Sequence, residues 1–155
     1  MIKYLIVILI SMVPVIELRG AVPIAIGYGI DPLTALIVCT VSNMVPVPII
    51  YFFARKFLLW GSKQRLIGDI CTFFLEKGER AGQKLVRKTG RGGLFMALLL
   101  FVGIPVPGTG AWTGTLAASF LNMGFKSTVL SVSLGVILAG IIMALASTGV
   151  FAVVT

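Results

Sequence analysis

Apolar residues run almost unbroken through two stretches of this chain, 1–54 and 92–155, and between them lies a segment, 55–91, in which apolar and charged positions alternate. Each apolar stretch is interrupted at a comparable place. In the first, Met1–Val13 is 13 residues, about 20 Å as a helix, and stops at PVIELRGAVP (14–23); Ile24–Ile30, a GIDP turn and Leu33–Ala54 follow. In the second, Leu94–Ile104 is 11 residues, about 16 Å as a helix, and stops at PVPGTG (105–110); Ala111–Met123, a GFK turn and Thr128–Val154 follow. The opening run of each half is too short to cross a hydrocarbon core of roughly 30 Å, and the closing run is long enough. The predicted order in both halves is half-helix, polar break, half-helix, turn, full span. Corresponding Gly/Pro-interrupted segments in two halves are the sequence pointer to a transporter built from inverted repeats.

Composition turns this pattern into a class. Of 155 residues, 58% are hydrophobic and 12% charged, against about 45–50% and about 25% in soluble domains, which excludes a soluble globular fold. The predicted fold is an all-α integral membrane protein forming one membrane domain. Residues 1–54 are the first repeat, 55–91 a cytoplasmic basic linker and 92–155 the second repeat. The net charge of +8 belongs almost wholly to the linker, where ten basic residues face three acidic ones, a net +7. There Leu66, Ile67, Ile70, Phe73, Phe74 and Leu85 recur at helical spacing, as in an amphipathic helix lying on a membrane surface. Gly78, Gly82 and Gly90 are expected to weaken that helix, and Lys84, Arg87, Lys88 and Arg91 either are a topology signal with no specific ligand or hold anionic lipid head groups. Without interleaved exposed aromatics, the basic run does not read as a nucleic-acid site. No histidine and only Cys39 and Cys71 leave neither a zinc-type ligand set nor a disulfide framework, so no metal, cofactor or catalytic constellation is expected, and no enzyme. Lys3 and the apolar run after it resemble a signal peptide, but the run leads into Glu17 and Arg19 without a small-residue cleavage pattern and is expected to be retained.

The positive-inside rule puts the linker in the cytoplasm, with Tyr51, Phe52, Phe53 and Trp60 as interfacial aromatics beside it. Two topologies then compete. If each broken stretch is a re-entrant hairpin, the termini and Asp31 lie outside, Lys126 lies inside, and the halves are inverted repeats. If each broken stretch crosses, there are four spans, cytoplasmic termini and an outward Lys126. Charge bias and the short half-helices favour the hairpins.

Glu17 and Arg19 are the ionisable residues deep in an apolar half, where a charge costs roughly 2.5–3.5 kcal/mol on insertion scales and therefore calls for a partner, a cavity or a function. At i,i+2 they point to different faces of a regular helix, so a mutual pair requires the break that Pro14, Gly20 and Pro23 offer. Either they form a structural ion pair, or Arg19 is a fixed anion anchor and Glu17 a proton-exchanging group. In the matching break, Pro105 and Pro107 stop the incoming half-helix, and Gly108, Thr109 and Gly110 form a turn whose glycines permit positive φ. The amides that open the next half-helix would then form a nest able to hold one phosphate or carboxylate opposite Arg19, unless the glycines merely allow a tight turn. In SNMVPVP (42–48), Pro46 and Pro48 free the carbonyls of Ser42 and Met44, which either line a cavity with Asn43 or mark a plain kink. Trp112 reads as an anchor or packing residue.

The blocks PVIELRGAVP, NMVPVP and FVGIPVPGTGAWTG, in that order and spacing, resemble the small multi-drug export protein family over nearly the whole chain. That family is similar to the DedA/VTT superfamily, whose members carry two opposed re-entrant hairpins with membrane-embedded acidic and arginine residues and are linked to lipid translocation and proton-dependent physiology. The resemblance implies a role for Glu17 and Arg19. It departs in the second hairpin, where PGTGAW lacks the arginine typical of DedA proteins.

Together these features predict a multi-pass protein of the prokaryotic cytoplasmic membrane. It would translocate an amphipathic, anionic, phosphate-bearing lipid-like substrate, coupled to protons through Glu17, with membrane lipids around it and a homodimer or larger homo-oligomer as working unit. The alternatives are a proton-coupled exporter of lipophilic cations and a non-transporting membrane adaptor docked through the basic linker.

Overall fold

The computed structural model describes residues 1–14, 16–106 and 108–154, the side chains of 151–154 excepted. Pro107 therefore lies outside the described residues. Every regular element among them is helical: α1 (Ile2–Met12), α2 (Glu17–Gly27), α3 (Pro32–Met44), α4 (Pro46–Gly61), α5 (Gly68–Gly103), α6 (Ala111–Phe120) and α7 (Phe125–Val154).

Local chemistry accounts for most boundaries. The Asp31 carboxylate accepts the amides of Leu33 at 3.1 Å and Thr34 at 3.2 Å, and Pro32 takes the first helical position, so α3 has a capped start. The residue between α3 and α4, Val45, keeps helical angles (φ −59°, ψ −46°), and the two form one rod, Pro32–Gly61, whose hydrogen-bond ladder lapses because Pro46 and Pro48 have no N–H. The freed Ser42 carbonyl takes the Val45 amide at 3.3 Å. In α5 the continuity is broken at Gly90 (φ 74°, ψ 176°), a conformation essentially reserved for glycine, so the basic helix 68–89 and the half-helix 91–103 are distinct pieces.

Three sequence expectations are corrected. Pro23 is not at the first break: it lies inside α2, which starts at Glu17, so ELRGAVP is helical and the break shrinks to the residues just before Glu17. Gly78 and Gly82 do not interrupt the basic helix, as Gly90 does. They let it lie against the turn after α6, because a Cβ on either would overlap the carbonyl oxygen of Phe120 or of Leu121. Gly110 has extended angles (φ −110°, ψ −168°) and not the positive φ expected of it, whereas Gly108 (φ 87°) does.

The molecule is apolar outside and small-residue inside. Along the Pro32–Gly61 rod, Leu33, Ile37, Val41, Val45, Ile49 and Phe53 form an exposed stripe every fourth residue, about 30 Å long. The opposite face buries Ala35, Cys39, Ser42, Asn43 and Val47. On α7, Leu130, Leu134, Ile137, Ile141 and Leu145 are exposed, while Thr128, Ser131, Val132, Val136 and Ala139 are buried. No phenylalanine of the described residues is buried. A protein in water would reverse this arrangement, since lipid solvates large apolar side chains and close helix contact favours small ones. Two helices, Pro32–Gly61 and Phe125–Val150, are long and apolar enough to cross a membrane.

Within the first half, α1 and α2 pack on each other and both pack on α3; within the second, α5, α6 and α7 do the same. Between halves, α2 packs on α7 and α6 on α4, with α3 against α7 at the centre. Side chains tie the elements at both ends and in the middle: Lys3 Nζ donates to the Tyr28 carbonyl at 2.9 Å, Ser11 to the Cys39 carbonyl at 2.8 Å, and Tyr51 to the Met123 carbonyl at 2.6 Å.

Candidate functional site

The breaks in the two halves meet. Glu17 opens α2 with φ 50°, a left-handed conformation costly for a residue with a Cβ, which turns its side chain away from the direction a regular first turn would give it. Its carboxylate crosses to the start of α6, where Oε1 accepts the Trp112 amide at 3.1 Å. The carboxylate lies so close to Gly110 that a Cβ there would overlap it. Glycine is thus required at 110 for close approach.

Arg19 goes to the other side of the same break. Its guanidinium donates to the carbonyls of Val102 at 3.2 Å and Ile104 at 3.1 Å, to those of Val106 and Thr109, and to Thr109 Oγ1 at 3.0 Å. The Thr109 hydroxyl is shared with the carbonyls of Ile104 at 3.0 Å and Val106 at 2.9 Å. A helix end leaves four carbonyls without partners, and in apolar surroundings each costs several kcal/mol unless a donor reaches it. Arg19 reaches that end at Val102 and the loop carbonyls after it, Nη2 being shared among most of them, a planar spread of donors that an ammonium on a flexible stem does not offer.

The two charges therefore do not pair with each other. Among the described residues the one ion pair within 4.0 Å is Arg80 with Glu76, at 3.7 Å on the exposed basic helix. Instead Glu17 faces the positive end of α6 and Arg19 the negative end of the half-helix 91–103, each complementing a helix dipole by about 0.3–1 kcal/mol and up to about 2 when partly buried. The nest and the arginine that were expected to clamp an external anion are both occupied by the chain itself. The bridging is reciprocal, because the Trp112 indole N–H donates to the carbonyl of Met12, the last residue of α1, at 3.2 Å. Trp112 is the residue that sequence reasoning placed as a plain anchor. Nothing local distinguishes it; its proximity to a break 100 residues earlier is a tertiary fact.

Around this junction is a cleft of about 430 Å3 lined by Pro14, Glu17, Arg19, Pro105, Gly108 and Gly110 among others. Of the predicted site residues, Glu17, Arg19, Gly108, Thr109 and Gly110 thus come together, with Pro14 and Pro105 at the rim. Pro23, Pro46 and Pro48 do not line it. Asn43 reaches the junction from behind: it is 1% exposed, its Oδ1 has no hydrogen-bond partner, and it shares a void of about 10 Å3 with Glu17, Arg19 and Gly110. That is close to the smallest volume that holds one water. The described residues contain no cluster of three or more metal-ligating side chains.

A second cavity has in its wall Trp112, the residue whose amide holds Glu17. It is a groove of about 440 Å3 between α4, the start of α5 and α6, walled by Phe53, Phe57, Phe74, Trp112 and Phe120 with other apolar side chains.

The family model described as "Putative small multi-drug export protein" matches residues 17–142, from Glu17 at the start of α2 through the second break and into α7. No curated protein and no solved structure matches the chain.

Proposed function

Because the chain belongs to the small multi-drug export protein family, we propose that it is a membrane transporter whose working site is the cleft at Glu17 and Arg19, and that it carries an amphipathic anion together with a proton. The architecture we propose for it is a pair of inverted repeats, each a re-entrant hairpin followed by a span, with a homodimer as the working unit. Four observations support this reading. Both halves repeat the order short helix, break, short helix, turn, long helix. The half-helices α1 and 91–103 are about 16–20 Å long and cannot cross. The contacts between halves are reciprocal, each return helix lying on the other half's long rod. The polar caps are reciprocal as well, with Arg19 on the second break and Trp112 on the first.

The observation that carries the mechanism is the Glu17 carboxylate seated on the α6 N-terminus while Arg19 sits across the same break. The α6 amides and Arg19 are fixed positive elements, and the site has room for one compensating negative charge. With Glu17 ionised, that charge is internal and the site is closed to other anions. When Glu17 takes up a proton, its hold on the amides weakens, and a phosphate-bearing head group can replace it beside Arg19. Proton and anion are therefore loaded together, and departure of the anion lets Glu17 release its proton and reseat. The head group would occupy the cleft, and the apolar tail would lie in the groove beyond Trp112.

The test is movement of a fluorescent phosphate-bearing lipid in proteoliposomes carrying a pH-sensitive dye. Wild type is expected to move lipid and protons together. Arg19→Ala should abolish lipid movement, and Glu17→Gln should leave lipid movement without its proton. Unchanged flux in Arg19→Ala would defeat the proposal. The aromatic groove also favours a second reading, export of lipophilic cations, in which cation and proton compete for Glu17. Ethidium efflux that requires both Glu17 and a pH gradient would select that reading instead.

A further inference from the structure

We infer that a second anion site lies between the basic helix and the turn joining α6 to α7, and that it takes the phosphate of a negatively charged phospholipid head group. A cleft of about 570 Å3 opens there, with Arg87 and Arg91 on one wall and Asn122, Gly124 and Ser127 on the other. The two arginines stand on either side of the Gly90 break and both line the cleft, although the helix is interrupted between them. Glu79 is the acidic residue on the wall, and it forms no ion pair with either arginine. The cleft therefore holds two guanidinium groups and one carboxylate, with neither guanidinium in an ion pair.

The opposite wall is the start of α7. Its first turn contains no acidic residue, and among the described residues no side chain accepts from the amides of Phe125, Lys126 or Ser127. The walls are set before any ligand arrives. Gly82 brings the basic helix into backbone contact with the turn at Leu121, and Arg55 holds the turn through Asn122 Oδ1. Two unpaired guanidiniums in one cleft with Gly124 and Ser127 at the start of α7 match the oxygens of a phosphate, which accept from guanidinium, hydroxyl and amide donors alike.

The level of the cleft selects a lipid as the source. Just beyond it α7 begins its exposed apolar face at Leu130, and the basic helix exposes Ile70, Phe73 and Phe74. The cleft thus sits at the boundary where an apolar surface gives way to a charged one, which is where head-group phosphates lie. Lys84 and Lys88 belong to the same basic run but do not line the cleft. This separates a built site from general attraction to a charged surface.

The test uses the full chain in a neutral detergent, titrated with short-chain phosphatidylglycerol, short-chain phosphatidylcholine or inorganic phosphate, with binding read from the shift in thermal unfolding and from lipid adducts in native mass spectra. Saturable binding of phosphatidylglycerol is expected, with phosphatidylcholine and free phosphate much weaker. Arg87→Gln with Arg91→Gln should weaken it about thirty-fold, the product of two surface charges near a lipid phosphate. Lys84→Gln with Lys88→Gln removes the same charge and should have a small effect. All four side chains are exposed, and circular dichroism of the variants checks that they fold. Equal loss in both double variants, or none in the arginine pair, overturns the site. Inorganic phosphate that displaces the lipid at comparable concentration overturns the membrane source.

Discussion

Replacing Gly110 by alanine is the most direct test of how the two breaks are joined. Position 110 has angles open to any residue, so the substitution carries no backbone penalty, and its whole effect comes from a Cβ placed where the Glu17 carboxylate now lies. That carboxylate cannot shift a little and stay bound, because the Trp112 amide at 3.1 Å fixes it against the start of α6. Gly110→Ala should therefore expel Glu17 from the α6 N-terminus. The loss is one charge-assisted hydrogen bond, about 1.5–3 kcal/mol, which already contains most of the dipole contribution, so about 2–3 kcal/mol is expected in all. In a Glu17→Ala background the same substitution meets no carboxylate and should cost close to nothing. The double-mutant cycle should then show a coupling of about 2 kcal/mol or more, large for any pair. Equilibrium unfolding in mixed micelles, followed by helical circular dichroism, measures all four corners. If Gly110→Ala costs as much without Glu17 as with it, the seat of the carboxylate is elsewhere and the proposed proton switch loses its basis.

Three further outcomes follow from the same geometry. Gly90→Ala should destabilise by about 1–3 kcal/mol, since φ 74° with ψ 176° is open to glycine alone, whereas Gly92→Ala, in open space within a helix, should be neutral or stabilise by up to about 1 kcal/mol; comparative melts in detergent check the pair. Arg19→Lys should keep the charge yet lose at least about 1–3 kcal/mol, because one ammonium cannot reach carbonyls spread from Val102 to Thr109, and a stability equal to wild type would show that charge alone suffices. With Cys39 and Cys71 replaced, the re-entrant arrangement has Ile2→Cys labelled by an impermeant thiol reagent from outside intact cells and Lys126→Cys protected. The reverse pattern would establish four spans.

Much of the fold was legible because membrane insertion is governed by local hydropathy. The two long rods, the broken stretch before each and the basic helix between them all follow from runs of apolar residues and the prolines and glycines that end them. The errors lie where a residue's local propensity was overruled by packing. Pro23 looks like a breaker, yet α2 runs through it. Gly78 and Gly82 look like weak points, yet they are the contact surface against the turn after α6. The candidate site was half legible. Glu17 and Arg19 stand out because charge is rare in apolar sequence, and Gly108–Gly110 because a break needs such residues. What each charge binds within the chain was not legible: the spacing left open a mutual pair, and the structure instead sets Glu17 on the Trp112 amide and Arg19 on the carbonyls of the second break.

By itself, then, the sequence determined the apolar character of this protein, the order of its short and long helices and that each half is broken once. Those properties depend on neighbours within a turn or two, and periodicity reports them. Only the tertiary structure decided that the break of one half is satisfied by side chains of the other. Arg19 meets carbonyls 83 to 90 residues away, Glu17 an amide 95 away, and Trp112 a carbonyl 100 away. The physical reason is that a helix end in an apolar medium must find partners for its unpaired amides and carbonyls. When its own segment has none, the path of the chain determines which distant residues arrive to supply them.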